Sequence, residues 1–124
     1  WTSKADIPEG SVYRFPALLA DEMVHAPVVI LAYAKRSGVA QLSTVPGVQN
    51  ILLAARALGI GSVLTTLHPK VMERVNAMFN VPDDMEFVCC LPLGYPRGNF
   101  GPTSRLPTSQ TTYWDEWNAP PPWS

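Results

Sequence analysis

Two arginines are the side chains most suited to binding chemistry in this sequence. Arg97 and Arg105 lie in a proline- and glycine-rich segment, GYPRGNFGPTSR (residues 94–105), directly after an apolar run typical of a buried strand. A loop at the carboxyl end of a strand is a common ligand-binding position in α/β sheets. An arginine there can hold a phosphate through paired hydrogen bonds. A solvated surface cation is an equally open interpretation of this segment alone.

The histidines and cysteines indicate less chemistry. Neither His25 nor His68 has a carboxylate at a spacing that would orient its ring, so both are interpreted as structural. Cys89 and Cys90 are adjacent, and neighbours on a strand point to opposite faces, so a disulfide between them would be strained. We therefore predict buried, reduced thiols in a cytoplasmic protein.

No catalytic acid, base, nucleophile or metal ligand set is identified. The acidic pairs at 83–84 and 115–116 have no further ligand in register, so no metal is expected. Gly59 and Gly61 resemble part of a dinucleotide-binding fingerprint, but the third glycine is missing and a helix precedes them instead of a strand. Gly59 is better interpreted as the residue that ends this helix.

Composition limits the class of protein. A length of 124 residues predicts a single domain (1–124), and 47% hydrophobic residues exclude a disordered chain. Charged residues make up 15%, against roughly 25% in ordinary domains, which indicates that a partner or ligand covers part of the surface. A net charge of −1 argues against nucleic-acid binding, and no apolar run is long enough for a membrane span.

Strands separated by helices predict an α/β or α+β fold. Helices are expected at 17–25, 43–58 and 69–80, strands at 27–33 and 86–93, and a short extended stretch at 61–66. In the central helix Ser43 or Thr44 is the expected cap and Pro46 the first-turn proline. Its expected buried stripe is Val48, Ile51, Leu52, Ala55 and Leu58, and that of the next helix is Val71, Val75, Met78 and Phe79.

The last part of the chain has a different composition. Residues 92–124 contain seven of the 13 prolines and three of the four tryptophans. We expect residues 97–124 to form an extended tail that docks on a surface, because a free tail would not normally expose several tryptophans.

Four sequence blocks, in order, resemble the FMN-dependent nitroreductase family. They are VQNILLAARALGIGS (48–62), VPDDMEFV (81–88), PLGYP (92–96) and SRLP (104–107), followed by a tryptophan-containing tail. The resemblance extends from about residue 26 to residue 117 and corresponds to the back part of the family domain. It implies an α+β fold with a mixed, largely antiparallel sheet between helices and a tail exchanged across a homodimer.

The resemblance also implies a function and a site. Family members bind FMN at the dimer interface, take hydride from NADH or NADPH, and reduce nitroaromatics, quinones or similar small-molecule acceptors. Leu64, Thr65, Thr66 and Leu67 match the loop whose backbone lies beside the flavin ring, where amides can orient the ring and stabilise its charge. Arg105 matches the basic residue that holds the FMN phosphate.

The chain departs from the family pattern in two ways. Thr103 stands where a lysine is often found, and the family's Arg-x-Ser and Asn-x-Gln-Pro motifs do not occur. The sequence also begins with Trp1, without a methionine. We therefore expect a C-terminal fragment of a flavin-dependent enzyme. The alternative is a short relative without flavin that acts as a binding or interaction module.

Overall fold

The computed structural model describes residues 6–67 and 69–123, which form an α+β fold. Three helices and three strands alternate along the chain. In order, they are α1 (Arg14–Glu22), a 3-10 turn (Met23–His25), β1 (Val28–Lys35), α2 (Ala40–Ala57), β2 (Gly61–Ser62), α3 (Pro69–Phe79) and β3 (Met85–Gly94), with a second 3-10 turn at Thr108–Gln110. The predicted fold class and the order of its elements are confirmed.

The sheet is antiparallel, with the strand order β1-β3-β2. β1 and β3 pair from Val28 opposite Leu93 to Lys35 opposite Met85, with one bulge between Ala32 and Tyr33. Because β3 is the middle strand, it contributes the most deeply buried residues. β1 lies at an edge and is only partly covered, and Val28 is 54% exposed.

β2 and the residues after it continue along β3 in one register. Gly61 lies opposite Gly94, Ser62 opposite Leu93, and further along Thr65 forms a bridge with Cys90. The ladder is interrupted between Ser62 and Thr65. Pro92 lies opposite this gap and has no N–H to donate, which explains the interruption.

The core lies between α2 and the sheet. Val48 packs against Cys89 and Leu91, and all three are buried; partly buried neighbours complete the cluster, namely Ile30, Ala32, Leu52, Val88 and Leu93. Leu52 and Ala55 lie four and seven residues after Val48, so one helix face supplies these contacts. Two members of the predicted stripe do not belong to it, since Ile51 is 37% exposed and Leu58 is 73% exposed.

α2 begins earlier than predicted. It starts at Ala40, whose N–H donates to the Ser37 carbonyl at 3.2 Å, and its N-terminal residue makes no side-chain cap. Thr44 instead donates from its hydroxyl back to the Ala40 carbonyl at 2.8 Å, and Pro46 lies inside the helix. The predicted end is confirmed, because Gly59 has the left-handed φ of +74°.

The helices α1 and α3 also differ in detail from the prediction. α1 begins at Arg14, and α3 buries Met72 instead of the predicted stripe, leaving Met78 70% exposed. The Tyr33 hydroxyl donates to Asn76 Oδ1 at 2.8 Å, which ties β1 to the same helix. Burial raises the pKa of Tyr33, so this hydroxyl keeps its proton.

The tail from residue 97 onward packs largely against itself. Tyr113 and Trp117 lie with ring centroids 4.8 Å apart, and Trp114 and Trp123 form an edge-to-face pair at 4.9 Å. The backbone N–H of Trp114 donates to the Ala119 carbonyl at 3.0 Å, which closes a tight loop over residues 114–119. Trp117 nevertheless remains 82% exposed. Docking of this tail on a second surface stays a prediction.

Candidate functional site

The segment expected to lie beside a flavin, Leu64 to Leu67, runs along the outer edge of the sheet. Thr65 exchanges both backbone hydrogen bonds with Cys90: its N–H donates to the Cys90 carbonyl at 2.9 Å, and its own carbonyl accepts the Cys90 N–H at 2.8 Å. In an antiparallel ladder the neighbours of such a residue point their N–H and C=O groups to the other side. Leu64 and Thr66 therefore direct their backbone groups away from β3.

These outward backbone groups face no strand in the described part of the chain, because the segment follows β2 at the edge of the sheet. Beside them lie side chains of mixed character: Leu64 is 42% exposed, Thr66 is exposed, and Thr65 and Leu67 are half-buried. Amide donors spaced along an edge next to an apolar side chain suit a flat ligand with acceptor atoms on its rim.

Arg105 lies in an exposed part of the loop after β3. Its Nη1 donates to the neighbouring Ser104 carbonyl at 3.0 Å, and it forms no ion pair with a carboxylate of the described residues. A guanidinium has five N–H donors, so most of the binding capacity of Arg105 is open to an anion. No hydrogen bond joins Arg105 to residues 64–67 in the ranges that the structure covers.

Arg97 belongs to another feature, a cleft of about 420 Å³ between the first 3-10 turn, β2 and the end of β3. Its lining is mainly apolar, with Met23, Pro27 and Val63 among its walls, and it includes His25 as well as Arg97. The sequence did not indicate this cleft, because its walls come from segments far apart in the chain. His68 lies outside the described residues.

The two cysteines are free and buried, as predicted. Burial raises the pKa of both thiols, and for Cys90 the neighbouring Cys89 raises it further. Both thiols are therefore neutral at physiological pH and poor nucleophiles. Within residues 6–67 and 69–123, no group of three His, Cys, Asp or Glu side chains is placed to hold a metal ion.

Comparison with known proteins is consistent with this fold. The model of the nitroreductase family matches residues 2–95. A relative from Methanothermobacter thermautotrophicus, with the assigned name NADH dehydrogenase/NAD(P)H nitroreductase, is 35% identical over 106 residues, covering 77% of this chain and 50% of its own. A relative of the same assigned name from Archaeoglobus fulgidus is 39% identical over 51 residues, 40% of this chain and 29% of its own. The chain thus spans about half the length, or less, of these relatives.

Solved structures share the architecture. A protein from Bacteroides thetaiotaomicron with the same assigned name superposes with a TM-score of 0.64 at 26% identity, covering 78% of this chain and 66% of that one. Oxidised iodotyrosine deiodinase, solved with FMN and 3-iodo-L-tyrosine, superposes with a TM-score of 0.58 at 21% identity, covering 84% of this chain and 58% of that one. The second likeness concerns the fold alone.

Proposed function

Because the chain belongs to the nitroreductase family, we propose that it forms the FMN-binding part of an NAD(P)H-dependent oxidoreductase. The observation that carries the proposal is the bridge between Thr65 and Cys90 at the edge of the sheet, from which we infer that the backbone N–H groups of Leu64 and Thr66 point away from β3. The electron acceptors proposed are nitroaromatics, quinones or similar small molecules, with NADH or NADPH as the reductant.

The residues at this edge fit a flavin. The N–H groups of Leu64 and Thr66 would donate to acceptor atoms on the rim of the ring, and the Leu64 side chain, which is 42% exposed, would cover apolar surface. Thr65 and Leu67 belong to the same segment, which the bridge between Thr65 and Cys90 holds against β3. Arg105 holds the phosphate through guanidinium donors that pair with no carboxylate among residues 6–67 and 69–123.

The bound flavin would supply the redox chemistry, accepting a hydride and passing electrons on. The protein's contribution would then be to position the flavin and to stabilise the charge on it. An amide held at the rim of the ring would stabilise negative charge there, which would favour the reduced cofactor. No protein acid or base is required in this proposal.

We propose that the chain works as a homodimer. Its accessible surface is 9805 Å², whereas a compact monomer of 13.6 kDa would expose about 6,600 Å². The excess includes large apolar side chains in the tail, such as Trp117, and on α2, such as Leu42 and Leu53. A second copy that accepts the tail (residues 97–124) would cover such a surface, and sedimentation would then give twice the chain mass.

A cytoplasmic location is proposed on the state of the thiols. Cys89 and Cys90 are free and buried, as is usual in a reducing compartment. No described helix combines the length and the apolar character needed to cross a membrane.

The first test is the visible absorption spectrum of the purified protein, measured together with its intact mass. We expect a flavin spectrum, or uptake of added FMN, with FMN released on denaturation. Thr66→Pro should then weaken FMN binding by about tenfold or more, because it removes one donor to a charged or polar acceptor. Thr66→Ala is the matched control: it keeps the N–H and should bind within about twofold of wild type.

A second candidate is an interaction module without flavin, and the exposed aromatic tail favours it. Trp114, Trp117 and Trp123 are 47%, 82% and 58% exposed, which is unusual unless a partner covers them. A colourless protein of the mass of these 124 residues that takes up no FMN, yet forms a stable dimer, would support this candidate over the enzyme.

A further inference from the structure

A cation–π contact joins the end of α2 to the loop after β3. The guanidinium carbon of Arg56 lies 4.1 Å from the centroid of the Phe100 ring. Arg56 is in the last turn of α2, while Phe100 lies in the loop that leads on to Arg105. The contact therefore fixes one point of an otherwise irregular segment against a helix of the packed core.

The same loop also packs closely on β2. A Cβ built on Gly61 would lie 3.6 Å from Phe100 Cζ, 3.7 Å from Pro96 Cβ and 3.2 Å from the Gly94 carbonyl oxygen. The Phe100 ring thus contacts Arg56 and lies near Gly61. Gly61 begins the edge segment that continues to residues 64–67, so one aromatic ring contacts the helix and lies near the start of this segment.

Beyond Phe100, the loop has few attachments. Arg105 donates only to its neighbour Ser104 among the described residues and forms no ion pair there. Residues 101–107 are exposed and contain no regular secondary structure. Phe100 is the nearest residue before Arg105 for which a contact with α2 or a close approach to β2 is seen in the described part of the chain.

We propose that Arg56 and Phe100 are a positioning pair for Arg105. This inference rests on the proposed FMN site. Stacking of Arg56 on Phe100 holds the loop against Gly61, so that Arg105 and the edge at residues 64–67 engage the phosphate and the ring of one flavin together. Arg56 does not bind the phosphate itself in this arrangement. Its effect is carried by the loop, and it acts only on ligands that have a phosphate.

The test compares the affinities of FMN and riboflavin, measured by quenching of flavin fluorescence. Arg105→Met should weaken the binding of FMN by about tenfold or more, and the binding of riboflavin by less than about twofold. Arg56→Met and Phe100→Leu should each weaken FMN by about two- to fivefold and leave riboflavin unchanged. Arg56→Lys, which keeps a cation over the ring, should recover most of the loss. Arg74→Met, on exposed helix surface, is the matched control for removing a positive charge.

A double-mutant cycle separates positioning from direct binding. Adding Arg56→Met to Phe100→Leu should not weaken FMN binding beyond the effect of Phe100→Leu alone. Neither substitution should weaken FMN binding further in a protein that already carries Arg105→Met. If Arg56→Met weakens riboflavin as much as FMN, or leaves FMN unaffected, the positioning role is overturned while the FMN site stands. If Phe100→Leu is silent while Arg56→Met weakens FMN, Arg56 binds the phosphate directly and the proposal is wrong. A wild-type protein that binds neither flavin overturns the proposed function, and this inference with it.

Discussion

The middle strand and the tail are both rich in apolar side chains but have opposite surroundings. In β3, Cys89, Cys90 and Leu91 are at most 1% exposed, because β1 and the β2 segment flank them and α2 covers them. In the tail, Trp114 and Trp117 are 47% and 82% exposed, although their rings touch other rings. The elements of this chain therefore bury the middle of β3, whereas they leave these aromatic side chains of the tail largely exposed.

Side-chain truncations in β3 and in the tail should differ most in their effect on the free energy of unfolding. Leu91→Ala should lower the free energy of unfolding by about 3 kcal/mol, through lost burial and a residual cavity. Trp117→Ala should change it by less than about 0.5 kcal/mol at concentrations where the chain is monomeric. Urea unfolding at several protein concentrations measures both. A Trp117→Ala cost as large as that of Leu91→Ala would show that the tail is already buried in the monomer.

A smaller effect on the free energy of unfolding is expected at Pro46, which lies inside α2. Pro46→Ala should stabilise the protein by about 1–3 kcal/mol, because a proline in a helix interior removes one hydrogen bond and crowds the preceding turn. Pro69 is the matched control, since it is the first residue of α3, where no N–H is needed. Pro69→Ala should be nearly neutral in thermal unfolding. Equal effects of the two substitutions would contradict this explanation.

The thiols of β3 predict a pH dependence of the free energy of unfolding. Because burial raises the pKa of Cys89 and Cys90 above its ordinary value of 9.0, the folded state holds these protons more tightly than the unfolded state does. Their contribution to stability is fully present below about pH 9 and is lost as the pH rises through the raised pKa values. Urea midpoints measured between pH 7 and pH 10.5 should therefore fall at the alkaline end of this range.

Thiol labelling supplies the control for that titration. At pH 8 a disulfide reagent should react with neither cysteine in the native protein and with both after denaturation. Immediate labelling of the native protein would contradict the burial of β3.

A modest effect is expected for the edge-to-face pair in the tail. A double-mutant cycle on Trp114 and Trp123 should give a coupling of about 0.5–1.5 kcal/mol. The cycle can be followed by circular dichroism during thermal unfolding, which does not depend on the tryptophans that are replaced. A coupling of zero would mean that the two rings lie close together without stabilising each other.

The sequence predicted the elements better than the faces that they bury. Apolar runs and the glycine at position 59 located β3 and the end of α2 correctly, because burial on both sides and a left-handed residue leave strong local signals. The stripe of α3 was wrong because its buried face is set by Met72 and by the bond from Tyr33 to Asn76, a contact made 43 residues away in sequence. The start of α2 was wrong because a backbone turn from Ser37 to Ala40 replaced the expected side-chain cap.

The candidate site was predictable only through resemblance to a family. Single residues such as Thr66 carry no chemical signal, since what matters there is the direction of a backbone N–H. That direction follows from the bridge between Thr65 and Cys90, which only a pairing register reveals. The contact between Arg56 and Phe100 was likewise hidden, because a helix arginine and a loop phenylalanine are individually ordinary.

The gap opposite Pro92 has a further consequence for local stability. With no N–H from Pro92, the bridge from Thr65 to Cys90 is separated from the paired residues of β2, so it can open without disturbing the pairing of β1 with β3. We therefore expect the edge segment to open separately from the β1–β3 pair, at a lower free-energy cost than global unfolding. Amide hydrogen exchange at Thr65 would be faster than in the middle of the β1–β3 pair. A ligand on this edge would bind only the closed form, so its affinity would include the cost of closing the bridge.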